Sequence, residues 1–213
     1  MKYFFITVGT SALHNRDIGK LLGAAGQKVI QDRLEPFKAD VKNYPDRERL
    51  LKLLVEAHQR YWDQPDAFRI PVNFLQTSAE LTSSIPIVEQ KSPQHTILLA
   101  SATEEGEFAA HVNLAILTKR FPGLQFECCR VDGLDVEKNF PNVYSALEKT
   151  VRRYWSDESD RVAVNVTGGY KAALLFVSAL AIKHGWDLYY QHESLHSIVM
   201  VNLNEARFEL LAT

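Results

Sequence analysis

Four short apolar runs, each followed by a polar turn and a helical stretch, constrain the fold of this chain most. The runs are YFFITV, HTILLAS, LQFECCRV and RVAVNV, at residues 3–8, 95–101, 124–131 and 161–166. Strands that are apolar on both faces are typical of parallel sheets covered by helices on both sides. Strands that alternate with helices build βαβ units, and we count about four of them. The sequence therefore predicts an α/β fold with a Rossmann-like, doubly wound, mostly parallel sheet.

The intervening segments have helical periodicity or turn chemistry. At the C-terminus, DLYYQHE and SIVMVNL predict two strands joined by a short turn around Ser194–His196, as an antiparallel hairpin. With no linker or repeat in the sequence, we expect one domain over residues 1–213. The expected helices are 46–62, 72–92 in pieces interrupted at Pro86, 104–121, 143–155 and 170–185, with helix plus loop over 15–45.

Composition narrows the function classes. A net charge of −2 provides no global positive field, so we expect no long nucleic acid as a partner. The two cysteines, Cys128 and Cys129, are adjacent and make neither a disulfide framework nor a zinc site. No apolar stretch is long enough for a membrane span, so we expect a cytoplasmic protein with no membrane partner.

Small polar residues follow three of the predicted strands. They are Gly9-Thr10-Ser11, Ser101-Ala102-Thr103 and the run from Asn165 to Gly169. In open parallel sheets, ligands bind beyond the carboxyl ends of the strands, where the strand order reverses. We therefore expect these three loops to lie along one rim and to form the binding site.

The stretch NVTGGYKA combines two glycines with a lysine between a strand and a helix. Gly168 and Gly169 allow backbone N–H groups to approach an anion, and the helix that follows presents its positive end. Lys171 is unfavourable at that end of the helix dipole unless an anion is bound there. The alternative is a tight turn with Lys171 in water. The stretch is no Walker loop, and no G-x-G-x-x-G follows the first strand, which argues against ATP hydrolysis and dinucleotide binding.

Two other side chains near the first strand have functional and structural interpretations. Ser11 can bond a phosphate or sugar oxygen, or it can be the N-cap of the next helix. His14 can transfer protons near neutral pH, or it can be an ordinary surface histidine. His192 and His196 have poor spacing for a metal, and we expect no metal site and no cofactor.

The order of five motifs resembles the CRISPR-associated Rossmann fold (CARF) family of type III CRISPR systems. They are FITVGTS, TSAEL, LLASATEEGEFAA, NVTGGYKA and YYQHES, at residues 5–11, 77–81, 98–110, 165–172 and 189–194. The resemblance implies a homodimer whose two rims form one pocket for a cyclic oligoadenylate, most often the ring of four nucleotides. No R-x-x-x-x-H sequence or other effector segment follows the hairpin. A chain of this kind resembles a stand-alone ring nuclease, which degrades the messenger and switches the response off.

The resemblance assigns roles to matching residues. Lys171 is similar to the lysine that stabilises the cleavage transition state, and Ser11 to the residue that positions the reacting ribose and phosphate. Relatives commonly have an aspartate where this chain has Ala102, which weakens the case for that loop. The expected ligand-binding residues are Gly9, Thr10, His14, Ser101, Thr103, Asn165, Thr167, Gly168, Gly169 and Tyr170.

The implied reaction is attack of a ribose 2′-hydroxyl on the adjacent phosphate, without a metal ion. The substrate supplies the nucleophile, so the protein supplies geometry and charge stabilisation. Two Lys171 side chains and two helix N-termini give roughly +3 against about −4 on a ring of four phosphates. Two alternatives remain: a non-catalytic sensor of the same ring, and an unrelated nucleotide-binding α/β protein.

Overall fold

The computed structural model describes residues 1–15, 17–64, 77–134, 140–169, 171–192 and 197–212. These residues form one seven-stranded sheet with helices on both faces. The elements in chain order are β1 Tyr3–Val8, α1 Ser11–His14, a 3₁₀ turn Lys20–Leu22, α2 Gly23–Ala39, α3 Arg47–Trp62, α4 Ala79–Lys91, β2 His95–Ser101, α5 Glu104–Arg120, β3 Gln125–Val131, α6 Phe140–Val151, β4 Val162–Asn165, α7 Lys171–His184, β5 Asp187–Tyr190, β6 Ser197–Asn202 and β7 Arg207–Ala212.

The sheet has the strand order β3-β2-β1-β4-β5-β6-β7. Neighbours from β3 to β5 pair in parallel. From β1 the chain moves outward through β2 and β3, and then returns to the other side of β1 as β4. The strand order therefore reverses between β1 and β4, which confirms the predicted doubly wound sheet and marks the place where such folds bind ligands.

Burial explains why the central strands are apolar on both faces. In β1, Phe4 and Ile6 pack into a core with α2 to α5, and Phe5 packs into a second core with α6 and α7. Strands β3 and β6, away from the centre of the sheet, alternate buried with more exposed residues instead. Alternation is what a strand shows when only one face is fully covered.

The C-terminal region differs from the sequence prediction. The predicted antiparallel pairing of β5 with β6 is confirmed, but β5 itself pairs in parallel with β4. A further strand, β7, pairs antiparallel with β6, and the sequence analysis missed it. Its large side chains Phe208 and Leu210 are exposed, so the segment lacks the buried apolar run by which the other strands were recognised. The predicted turn Ser194–His196 lies outside the described residues.

Helix α4 is continuous through Pro86, so the predicted interruption there is wrong. Ile85 and Ile87 on either side of the proline are buried in the core, and this packing outweighs the lost backbone hydrogen bond. The part of the predicted helix at 72–76 lies outside the described residues. Helix and loop at 15–45 are confirmed by the 3₁₀ turn and α2. Within the described ranges, no helix has the length and apolar character needed to cross a membrane.

Candidate functional site

A cleft of about 420 Å³ opens at the carboxyl ends of β1 and β4, where the strand order reverses. It is bounded by the loops after β1 and β4, by α1, by the first turns of α4 and α7, and by the end of β5. Two of the three loops predicted to converge therefore do so here. The lining residues are Gly9, Thr10, Ser11, His14, Ala79, Glu80, Thr167, Gly168, Gly169, Lys171, Leu174, Tyr190 and Gln191.

Glycines let the loops after β1 and β4 meet at backbone distance. A Cβ on Gly9 would lie 2.9 Å from the backbone nitrogen of Gly169. Gly169 has a φ of 110°, which side chains other than glycine rarely adopt. Thr7 secures the turn by donating its hydroxyl to the carbonyl oxygen of Gly168. The tight-turn interpretation of the glycine pair is therefore correct for their conformation, and it is compatible with a ligand in the cleft.

Lys171 is the first residue of α7, and its side chain is exposed at the cleft. Among the ion pairs of the described residues, none involves Lys171. The positive end of the 14-residue helix α7 adds to the charge of its ammonium group. This end of the cleft can therefore attract an anion.

The floor of the cleft holds a buried carboxylate that the sequence analysis did not select. Glu80, in the first turn of α4, is 1% exposed. Its Oε1 accepts from the Gly9 backbone N–H at 2.7 Å, and its Oε2 accepts from the Ser11 hydroxyl at 2.5 Å. A Cβ on Gly168 would lie 2.2 Å from Glu80 Oε1, so Gly168 leaves the space that this carboxylate occupies.

Ser11 does not cap the helix that follows β1. Thr10 occupies the N-cap position of α1, and no side chain caps that end. The Ser11 hydroxyl instead reaches α4: it donates to Glu80 and accepts from the backbone N–H of Ala79 at 3.0 Å. Ser11 therefore links the loop after β1 to the first turn of α4 at the edge of the cleft.

His14 lines the cleft and contacts the carboxylate of Glu105 through its Nε2 atom. The neighbouring Glu104 pairs with Arg47 at 3.0 Å. The two acidic residues at the start of α5 thus have protein partners, as expected of charges at a helix N-terminus. The His14 side chain is exposed, as the surface interpretation predicts, and it lies at the cleft with one ring nitrogen in contact with Glu105.

Asn165 and Thr167 build the turn after β4, and only Thr167 lines the cleft. Asn165 is completely buried; its amide donates to Ser83 and Ser84 at 2.7 and 2.8 Å. Its Oδ1 accepts from the Thr167 hydroxyl at 2.7 Å. All the polar atoms of the Asn165 side chain are used, so Asn165 supports the turn and does not present a group to the cleft.

Ser101 and Thr103 line a separate cavity of about 200 Å³, which shares Gly9, Thr10 and Gly169 with the cleft. Their hydroxyls bond to each other at 2.9 Å, and Thr103 caps α5 by accepting from the Gly106 N–H. The third predicted loop therefore borders the site from the side. Its two hydroxyls bond to each other and to the first turn of α5.

A buried histidine supports α1 from behind. His58 of α3 bonds the carbonyl oxygen of Ala12 through Nε2 at 3.1 Å and the Thr77 hydroxyl through Nδ1 at 3.2 Å. Burial lowers the pKa of His58 to about 4 from its usual 6.5, and only the hydrogen bond to Ala12 opposes this shift. His58 is therefore neutral at physiological pH, with Nε2 carrying the proton that it donates to the carbonyl.

Several lining residues were not selected from the sequence, among them Glu80 and Gln191, which both lie in motifs already quoted. An acidic residue in a first helical turn is common and gives no functional signal by itself, and the hydrogen-bond partners of Glu80 are 69 and 71 positions away. Gln191 is 2% exposed, and its side-chain amide has no hydrogen-bond partner among the described residues. Tyr170 lies outside the described residues. Within them, no group of three or more His, Cys, Asp or Glu side chains could hold a metal ion.

The chain matches a known protein family over much of its length. A model of the CRISPR-associated protein family Cas_APE2256 matches residues 75–203, more than half of the chain. No curated protein sequence matches it.

Two solved structures are similar to part of the chain. Can2 from Sulfobacillus thermosulfidooxidans, in complex with cyclic tetra-adenylate, is 19% identical with a TM-score of 0.45, over 63% of this chain and 35% of that one. The protein VC1899 from Vibrio cholerae is 12% identical with a TM-score of 0.46, over 63% of this chain and 34% of that one. The chain thus spans about a third of the length of either structure.

Proposed function

Because this chain belongs to the CRISPR-associated Cas_APE2256 family, we propose that it is a ring nuclease acting on cyclic tetra-adenylate, which switches off type III CRISPR signalling. The observation that carries the proposal is the meeting of Ser11 and an exposed Lys171 at one cleft. That cleft lies where the strand order reverses.

The outer face of α7 supports a homodimer with the cleft at its interface. Leu175 and Ile182 are 69% and 47% exposed, on a helix that is apolar on nearly every side. A helix of this composition is normally buried all round. Lys171 is one turn before Leu175, so a second copy packed along this face would bring two clefts and two lysines together. A ring of four nucleotides is larger than one cleft of about 420 Å³ can enclose.

The cleft chemistry suits strand cleavage by a neighbouring hydroxyl. The ribose 2′-oxygen attacks the adjacent phosphorus, the bond from phosphorus to the 5′-oxygen breaks, and a 2′,3′-cyclic phosphate and a 5′-hydroxyl remain. The protein needs to align the attacking and leaving oxygens and stabilise the extra negative charge. Lys171 and the start of α7 supply positive charge for this purpose, and no step requires a metal ion.

Product analysis tests the proposal. The purified protein, in excess over cyclic tetra-adenylate and in the presence of EDTA, should yield linear products ending in 2′,3′-cyclic phosphate. A ring of six nucleotides, assayed in parallel, gives the preference for ring size. A ring that stays intact after prolonged incubation would contradict the nuclease, and tight binding without product would identify a sensor. Sedimentation as a monomer, with and without the ring, would contradict the dimer.

A further inference from the structure

We propose that Glu80 takes up the proton of the attacking ribose 2′-hydroxyl through Ser11, which makes Glu80 a positioning and proton-accepting residue of the cleft. This inference rests on the proposed cleavage reaction and names its general base. Glu80 is the only carboxylate among the described residues that line the cleft.

The environment of Glu80 is unusual for a side chain with a purely structural role. It is 1% exposed, and no cationic side chain pairs with it in the described part of the chain. Burying a carboxylate without a cation is costly, and two hydrogen bonds, from Gly9 N–H and from Ser11, offset only part of that cost. A proton acceptor held next to a reacting group would account for keeping the charge there.

Ser11 can face the ligand only as an acceptor in this arrangement. A serine hydroxyl has one proton and two acceptor positions. Its proton points to Glu80 Oε2 at 2.5 Å, and one acceptor position is filled by the Ala79 N–H. The remaining position suits a donor such as a ribose 2′-hydroxyl, and it does not suit a phosphate oxygen.

The proton transfer then balances in one concerted step. The 2′-hydroxyl gives its proton to Ser11 Oγ while Ser11 gives its own proton to Glu80 Oε2. The electron pair left on the 2′-oxygen forms the new bond to phosphorus, and the pair of the breaking bond leaves with the 5′-oxygen. A proton from Lys171 or from water completes the 5′-hydroxyl. Glu80 is neutral afterwards and returns its proton through Ser11 to solvent.

The other titratable side chains at the cleft are His14, Lys171 and Tyr190. Lys171 is a cation and cannot accept a proton until it has lost its own. His14 is the competing candidate, because its Nδ1 atom is left over when Nε2 contacts Glu105. No contact among the described residues links Tyr190 to Ser11.

The Glu80→Gln variant tests the relay, because glutamine keeps the shape and the acceptor for Gly9 N–H. Its amide would donate to Ser11, so the serine could no longer pass a proton on. We expect single-turnover cleavage to slow on the order of a hundredfold or more. Binding of the ring should be unchanged or tighter, since a negative charge near the phosphates is removed. Glu89→Gln, further along α4 and exposed, is the matched control and should cleave normally.

A double-mutant cycle separates a relay from two independent roles. If Ser11 and Glu80 act as one unit, Ser11→Ala, Glu80→Gln and the double variant should all lose cleavage to about the same extent. Losses that multiply, or a Glu80→Gln variant that cleaves like the wild type, would overturn the relay and leave the nuclease standing. If the losses are non-additive for Ser11→Ala with His14→Gln, and not for Ser11→Ala with Glu80→Gln, the base is His14. A wild-type protein that does not cleave the ring would overturn both proposals.

Discussion

Two concave regions among the described residues differ in their chemistry, and the larger of the two is the poorer. A groove of about 900 Å³ runs between the 3₁₀ turn, α3 and α5, with Leu21, Leu51, Val55 and Ala115 on its walls. On its charged rim Arg60 pairs with Glu56, while no ion pair of the described residues involves Lys52 or Lys119. The cleft between β1 and β4 has less than half that volume. It nevertheless combines glycine loops, a free cation among the described residues and a buried carboxylate.

The difference follows from where each region lies in the fold. The groove is formed by the sides of helices, where backbone groups are already bonded within the helix and only side chains can meet a ligand. The cleft is formed by strand ends and first helical turns, where backbone N–H groups are not used by the helix. The volume of a groove measures only the space between helices and strands, whereas the groups that can bind or react with a ligand lie at the ends of these elements. The comparison therefore favours the smaller region as the functional site.

Replacing the cation at the cleft should have the largest effect. We expect Lys171→Ala to slow single-turnover ring cleavage by roughly a hundredfold to a thousandfold, because it removes charge stabilisation at the phosphate. The matched control is Lys52→Ala, which removes an exposed lysine from the rim of the groove and should leave cleavage unchanged. Equal losses in the two variants, or none in Lys171→Ala, would break the distinction between the regions.

A smaller effect, on the pH dependence of stability, is expected at α3, the helix that contacts both regions. One face of this helix lines the groove, and His58 on its other face holds α1 beside the cleft. The pKa of His58 is about 4 in the fold against a usual 6.5, so the unfolded chain binds the proton first as the pH falls. The contribution of neutral His58 to the free energy of unfolding is therefore fully present above about pH 6.5 and is lost as the pH falls toward 4. The part due to His58 should be about 2 kcal/mol between pH 7.5 and pH 5.

Urea unfolding at several pH values measures this decline. His58→Gln should flatten the dependence over that range even if it lowers stability at every pH. His111→Gln, at an exposed position of α5, should retain the wild-type slope. A slope that does not change in His58→Gln would show that other groups cause the decline.

Much of the fold was predictable because the local patterns of apolar and turn residues agree with the burial of the same residues in the fold. The apolar runs gave the central strands, and the polar residues after β1 and β4 located the cleft. The motifs also identified a CRISPR-associated family, which the family match confirms. Strand β7 lacked such a signal, because Phe208 and Leu210 are exposed. A break was predicted in helix α4 because proline disfavours a helix locally. The local pattern does not show that the residues around this proline are packed in the core.

The site was predictable only as far as chemistry can be read from single residues. Lys171 stood out because a lysine is unfavourable at a helix N-terminus. Glu80 did not, because an acidic residue is favourable there and its burial depends on partners far away in the sequence. Asn165 looked like a ligand group, yet its amide is used up by serines of α4. Such assignments depend on three-dimensional neighbours, which the sequence pattern does not contain.

The most direct test of the central claim is where the ring binds. Hydrogen exchange of the protein with and without cyclic tetra-adenylate, measured at a concentration that saturates the protein, resolves the two regions. We predict that backbone amides of residues 9–15 and 171–175 become protected, while those of residues 51–60 in the groove keep their exchange rates. Protection confined to the groove helices α3 and α5, with the cleft unchanged, would contradict the account.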